Sequence, residues 1–147
     1  MASLTTKHMA DTGGTKKIDI LLITFQRLPL LKIAVRAIKR RTKYPYRLII
    51  IDNGSTDDTK KWLKNDVADK VIFMEKNVGL SRAYQEGLKH VQSEYFICAV
   101  DDTIPPKMEP CWLEQELGIA KANPEYGGIA MKGVRITDFN QLDDDLV

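Results

Sequence analysis

Short apolar runs alternate with amphipathic segments along this chain, and clusters of Asp, Asn, Gly or hydroxyl residues follow the runs. The runs are Ile18–Phe25, Leu48–Ile51, Val71–Met74 and Tyr95–Val100. They are too short for buried helices and almost wholly apolar, which is how strands covered on both faces of a parallel sheet read. Pro29 suits the first turn of a helix, where Leu31, Ala34, Val35 and Ile38 form one face and Lys32, Arg36, Lys39 and Arg40 the other. After Asp52-Asn53-Gly54, Ser55 is expected to cap a second helix, with Asp58 three positions on as an acidic capping-box analogue. That helix carries Trp62 and Leu63 and ends near Asn65. The cleanest helical stripe is Leu80, Ala83, Tyr84, Gly87, Leu88 and Val91. A further helix is expected from Glu109 to Ala122, stopped by Asn123-Pro124, and a last strand between Tyr126 and Ile136. This alternation predicts an α/β fold, a mostly parallel twisted sheet with helices on both faces.

A chain of 147 residues with 44% hydrophobic and 29% charged residues is enough for one globular domain, expected over 18–147. Residues 1–17 are polar and aperiodic and read as a disordered tail. A net charge of +2, without a basic stripe interleaved with aromatics, argues against a nucleic-acid partner. Cys98 and Cys111 have no zinc spacing and read as buried thiols of a reducing compartment. No stretch approaches the roughly 18 apolar residues of a transmembrane helix and no signal peptide is visible, so a cytoplasmic location is expected.

In open α/β sheets ligands bind beyond the carboxyl ends of the strands. Those ends carry Thr24-Phe25-Gln26-Arg27, Asp52-Asn53-Gly54-Ser55, Asn77-Val78-Gly79 and Asp101-Asp102-Thr103. Each cluster alone is ordinary turn chemistry; together they place polar groups along one edge. The acidic pair is the sharpest feature. Two ionised carboxylates about 5 Å apart, at an effective dielectric of roughly 20, repel by about 3 kcal/mol. A divalent cation bridged to a phosphate removes that repulsion, and Mg2+ is commonly held by one or two carboxylates plus phosphate oxygens. A solvated acidic turn is the plainer alternative.

Arg82 falls in the first turn of its helix, where a cation opposes the macrodipole unless an anion joins it. The group Lys39, Arg40, Arg41 and Lys43 leaves peripheral contact with an anionic membrane open, although a solvated helix end explains it more simply. His8 and His90 lie away from the strand exits, which argues against a histidine relay. Asp143, Asp144 and Asp145 read as a charged C-terminal tail.

With these residues assembled, the chain resembles the large GT-A-fold family of inverting nucleotide-sugar glycosyltransferases, family 2 type, over roughly residues 18–136. The carriers are Thr24-Phe25-Gln26-Arg27 for a Thr-Tyr-Asn-Arg opening, Asp52-Asn53-Gly54-Ser55-Thr56-Asp57 for the acidic signature, Asn77-Val78-Gly79 with Arg82, and Asp101-Asp102-Thr103 for the metal motif. The resemblance implies a Rossmann-like donor-binding half for a nucleoside-diphosphate sugar, most often a UDP-sugar. It implies that Asp52 binds the base, that Thr24 and Phe25 line the same pocket, and that Arg82 lies near the base or diphosphate. Arg27, Asn53, Asn77 and Gly79 fall in the matching nucleotide-binding segments. Asp101 would contact the ribose or metal, and Asp102 would coordinate Mg2+ or Mn2+. Thr103 departs from the family pattern, which often has a further Asp there. Members usually continue well past the acidic pair, and that second half supplies the acceptor site and a carboxylate base. No residue here is assigned as the base, Asp138 being too speculative to name as one, and the acceptor and oligomeric state are not specified.

Two other functions fit parts of the pattern. One is a nucleotide-sugar-binding module or truncated paralogue without catalysis of its own. The other is a phosphoacceptor receiver-like domain, disfavoured because its acidic pair should follow the first strand, where Thr24-Phe25-Gln26-Arg27 stands.

Overall fold

Strands β2 (Ile18–Thr24), β3 (Tyr46–Asp52), β4 (Lys70–Phe73) and β5 (Tyr95–Val100) lie parallel in the order β4-β3-β2-β5. The computed structural model describes residues 2–6, 16–131, 133–136 and 142–146. Helix α1 (Leu28–Arg41) follows β2, α2 (Thr59–Leu63) follows β3, and α3 (Leu80–Leu88) follows β4. After β5 come β6 (Thr103–Ile104), α4 (Trp112–Ala122), β7 (Gly128–Met131) and β8 (Val134–Arg135).

The strands are buried on both sides, and their alternation divides the core in two. Ile18, Ile20, Leu22, Leu48, Ile50, Ile97 and Ala99 pack with α1 and α4, where Leu31, Ala34, Ile38, Leu113 and Leu117 are buried. Leu21, Ile23, Ile49 and Ile51 face the other way, onto Ala83 of α3 and onto Val91. Gly87 explains why α3 sits so close: a Cβ there would come within 2.9 Å of Ile51 Cδ1. The expected class, a mostly parallel sheet with helices on both faces, is the observed one.

Several boundaries differ from the sequence reading, each for a local reason. Ser55 does not cap α2. Its hydroxyl accepts the Gln26 amide at 2.9 Å, and the helix starts four residues later, where Asp57 Oδ1 accepts the Thr59 amide at 3.1 Å. Helix α3 ends at Leu88, and Val91 reaches the core from a turn whose amide bonds to Leu88 O. Helix α4 begins at Trp112, after Pro110, rather than at Glu109. The last strand is two short ones: β7 joins the main sheet and β8 pairs antiparallel with β6.

The two ends of the chain depart most from expectation. Within the segment read as a tail, β1 (Ala2–Thr6) pairs antiparallel with β5 and with β7; residues 1 and 7–15 lie outside the described ones. Asp143–Asp145 are not a free charged tail either. Leu146 is 1% exposed in the α1–α4 core, and Arg36 donates to its carbonyl at 2.6 Å. The buried Arg41 guanidinium donates to both carboxylate oxygens of Asp145 at 2.9 and 2.8 Å, to Asp143 at 2.8 Å and to Pro105 O at 2.9 Å. Arg40 adds a hydrogen bond to Asp145 O. Arg41 therefore belongs to this strap, and the membrane-facing reading of the basic group does not extend to it. Asp138 lies outside the described residues.

Among the described residues no helix is long and apolar enough to cross a membrane.

Candidate functional site

Register fixes the site. Thr24 pairs with Asp52 across β2 and β3, and Ile23 pairs with Val100 across β2 and β5. Asp101, one residue past Val100, therefore emerges beside Thr24. By alternation Thr24, Asp52 and Asp101 continue the parity of Leu22, Ile50 and Ala99, so all three project toward the α1 face. Asn53 has the opposite parity and points to the α3 face. The four strand exits thus converge on one edge but divide between its two sides.

On the α1 side, the Thr24 hydroxyl donates to Asp101 Oδ2 at 2.7 Å, with both residues buried. Arg27 Nη1 lies 3.5 Å from Asp101 Oδ1 and 3.5 Å from Asp102 Oδ2. Thr103 donates to Asp102 Oδ1 at 3.2 Å. Burial pushes the Asp101 carboxyl up, and the charge of Asp102 adds to that; the Thr24 hydrogen bond and the Arg27 charge oppose it. Arg135, reaching in from β8, lies 3.9 Å from Asp102 Oδ2. Nothing in its local sequence marks Arg135 as a site residue, because only the pairing of β8 with β6 and the Ile136 amide bond to Asp102 O bring it there.

Asp52 is fully buried. Its Oδ1 accepts the Ser55 amide at 3.0 Å, whereas its Oδ2 has no hydrogen-bond partner. A second buried acid shows what a structural carboxylate looks like in this chain. Asp19, toward the opposite end of β2, has Oδ1 held by Arg47 at 2.6 Å and Oδ2 by the amides of Gln92 and Ser93 at 2.6 and 3.0 Å. An orphaned buried carboxylate oxygen costs about 1–3 kcal/mol or more. Its position at the strand exit suits a donor supplied by a ligand.

The α3 side is a brace. Asn53 Oδ1 accepts the Val78 amide at 3.0 Å, and Asn53 Nδ2 donates to Asn77 Oδ1 at 3.1 Å. Asn77 Oδ1 also accepts the Gly79 amide at 2.9 Å, forming an Asx turn that leads into α3. Gly54, at φ +83°, lets this loop close on the β3 exit; a Cβ there would fall 2.4 Å from the backbone carbon of Lys76. Asn53, Asn77 and Gly79 thus hold two loops together, with both polar atoms of the Asn53 side chain and the Asn77 Oδ1 engaged in the brace. Phe25 is half-buried at the end of β2. Arg82 is exposed on the first turn of α3, and its side chain makes no ion pair among the described residues.

Two aspartates with hydroxyl neighbours are hard oxygen donors, the set that suits Mg2+ or Mn2+ rather than a soft metal. Among the described residues no group of three or more His, Cys, Asp or Glu forms a complete metal cage. Burial and the neighbouring Asp102 charge disfavour the ionised form of Asp101, and positive charge placed beside the pair would offset both.

The profile of Glycosyl transferase family 2 matches residues 19–141. The uncharacterized glycosyltransferase YwdF of Bacillus subtilis is 34% identical over 92 residues, covering 61% of this chain and 34% of that protein. The poly-beta-1,6-N-acetyl-D-glucosamine synthase of Staphylococcus epidermidis is 31% identical over 91 residues, 59% of this chain and 21% of the synthase. The chain therefore spans about a third and about a fifth of the lengths of these relatives. Glucosyl-3-phosphoglycerate synthase of Mycobacterium tuberculosis, solved with Mn2+, UDP and glucosyl-3-phosphoglycerate, superposes with a TM-score of 0.56 at 20% identity. That likeness covers 77% of this chain and 47% of the synthase. The fold is GT-A, and the chain belongs to glycosyl transferase family 2.

Proposed function

We propose that this domain binds a nucleoside-diphosphate sugar, a UDP-sugar first among candidates, and transfers the sugar to an acceptor hydroxyl with inversion. The observation that carries the reading is the orphaned Asp52 Oδ2, buried one strand away from the Thr24–Asp101 hydrogen bond. In this reading Asp52 accepts a base N–H, with Thr24 and Phe25 beside it, and Arg82 supplies positive charge near the base or diphosphate. Asn53, Asn77 and Gly79 shape the loop that receives the nucleotide. Asp101 and Asp102 would hold Mg2+ or Mn2+, which when bound supplies Lewis-acid stabilisation to a leaving diphosphate. Thr24 orients Asp101 for that task, and burial keeps water from competing for the carboxylate. No side chain is assigned as general base. The complex of the mycobacterial synthase with Mn2+ and UDP supports the class of ligand.

The test is calorimetric titration with UDP and GDP, each with and without Mn2+, followed by donor hydrolysis assays. Metal-dependent binding of one nucleotide and slow release of its diphosphate support the reading. Absence of metal-dependent binding by either nucleotide removes it, and binding without turnover over a panel of acceptors restricts it to a donor-binding module.

A further inference from the structure

Arg27 stands between the two carboxylates in a way this chain does not use for structural ion pairs. Its Nη1 is 3.5 Å from an oxygen of each aspartate, and its side chain is 52% exposed. Where the protein builds a fixed pair, the contacts are short: Arg41 meets Asp145 at 2.8 and 2.9 Å, and Arg47 meets Asp19 at 2.6 Å. Charge-assisted N–H···O bonds of that kind normally fall near 2.7–2.9 Å, roughly. Arg135 repeats the loose arrangement at the same carboxylate oxygen, 3.9 Å from Asp102 Oδ2 and 76% exposed. Apart from these contacts, neither guanidinium has a side-chain anchor among the described residues.

We infer that Arg27, assisted by Arg135, is the resident counter-cation of the acidic pair and competes with a divalent metal for it. The inference rests on the metal-dependent reading of the site. Two carboxylates and two guanidiniums form a charge-neutral set, so a divalent ion entering alone leaves the site doubly positive. A metal arriving with a nucleoside diphosphate does not, because the phosphates neutralise the excess. Arg27 therefore lowers affinity for free metal and makes metal and nucleotide bind cooperatively. By linkage each ligand raises the affinity for the other by the same factor. Once displaced from the carboxylates, Arg27 is free to face the anionic part of the donor.

The experiment is Mn2+ titration of the intact chain, followed by electron paramagnetic resonance, with and without UDP. Arg27→Gln should bind free Mn2+ about three- to tenfold more tightly than wild type at low salt, the screened effect of removing one nearby positive charge. The gain in Mn2+ affinity on adding UDP should shrink in the same variant. Arg27→Lys, which keeps the charge, should stay near wild type, and Arg135→Gln should shift in the same direction but less. Asp102→Asn should abolish binding and serves as the reference. If Arg27→Gln leaves Mn2+ affinity unchanged or weaker while Asp102→Asn abolishes it, the metal site stands and the counter-cation role falls. If Asp102→Asn binds Mn2+ as wild type does, the metal reading itself is overturned, and this inference with it.

Discussion

Thr24 and Asp101 are 77 positions apart in the chain, yet the threonine hydroxyl donates a 2.7 Å hydrogen bond to the aspartate in a buried setting. The bond joins the first and fourth strands of the parallel sheet at their exits and fixes which way the buried carboxylate faces. Removing the donor in Thr24→Val keeps the volume but takes away one partner of Asp101. We expect a loss of about 1–3 kcal/mol in urea unfolding, recovered by Thr24→Ser. Equal stability of the valine and threonine forms would show that the bond carries no weight.

Asp52 should behave in the opposite way. In Asp52→Asn the amide oxygen can keep the Ser55 contact while an NH2 group replaces the unpartnered Oδ2. Stability should stay within about 1 kcal/mol of wild type or rise, because the unpartnered buried carboxylate oxygen is removed. Affinity for UDP should fall by at least about tenfold, since a donor would then face a donor. A variant that is both less stable and unimpaired in nucleotide binding contradicts the assignment of Oδ2 to a ligand.

Gly54 has two independent reasons to resist substitution. Its φ of +83° disfavours an L side chain, and the 2.4 Å approach to Lys76 involves backbone that cannot rotate away. Gly54→Ala should cost about 2 kcal/mol or more. Because the Asn53–Asn77 brace depends on that approach, hydrogen exchange at Val78 and Gly79 should rise with it.

Asp19 supplies the pH dependence. Burial alone would raise its carboxyl, but hydrogen bonds from Arg47, Gln92 and Ser93 and the Arg47 charge outweigh that and hold it below its ordinary 3.8. A carboxyl lowered in the folded state contributes stability that is fully present above the unfolded value and is lost as pH falls through the folded one. Acid denaturation should therefore draw on Asp19 only below about pH 4. In Asp19→Asn the melting temperature should be lower at pH 7 and should depend less on pH between 4 and 2, as followed by circular dichroism.

The strands were legible because their apolar runs are uninterrupted and each ends on turn-forming residues. The edge carrying Thr24, Asp52 and Asp101 could then be read from strand direction alone. What escaped depends on contacts between distant segments. The β-propensity of Ala2–Thr6 is unremarkable, and its place between β5 and β7 comes from pairing. Ser55 has the chemistry of a helix cap, but the Gln26 amide reaches it first. Arg135 meets Asp102 only because two two-residue strands pair. Three consecutive aspartates look like a solvated end until Arg41 is found beneath them.

That arginine sets a boundary for anyone trimming this domain. Deleting the last six residues would strip a guanidinium whose side chain is 2% exposed of both carboxylates, leaving Pro105 O as its acceptor among the described residues. Removing the partner of a buried charge costs about 3–5 kcal/mol, a large share of what a domain this size has in reserve. Because the same guanidinium also holds Pro105 O, in the segment leaving Asp101 and Asp102, the loss would reach toward the site through Arg41. An inactive truncation would then report a slackened backbone rather than a missing catalytic group.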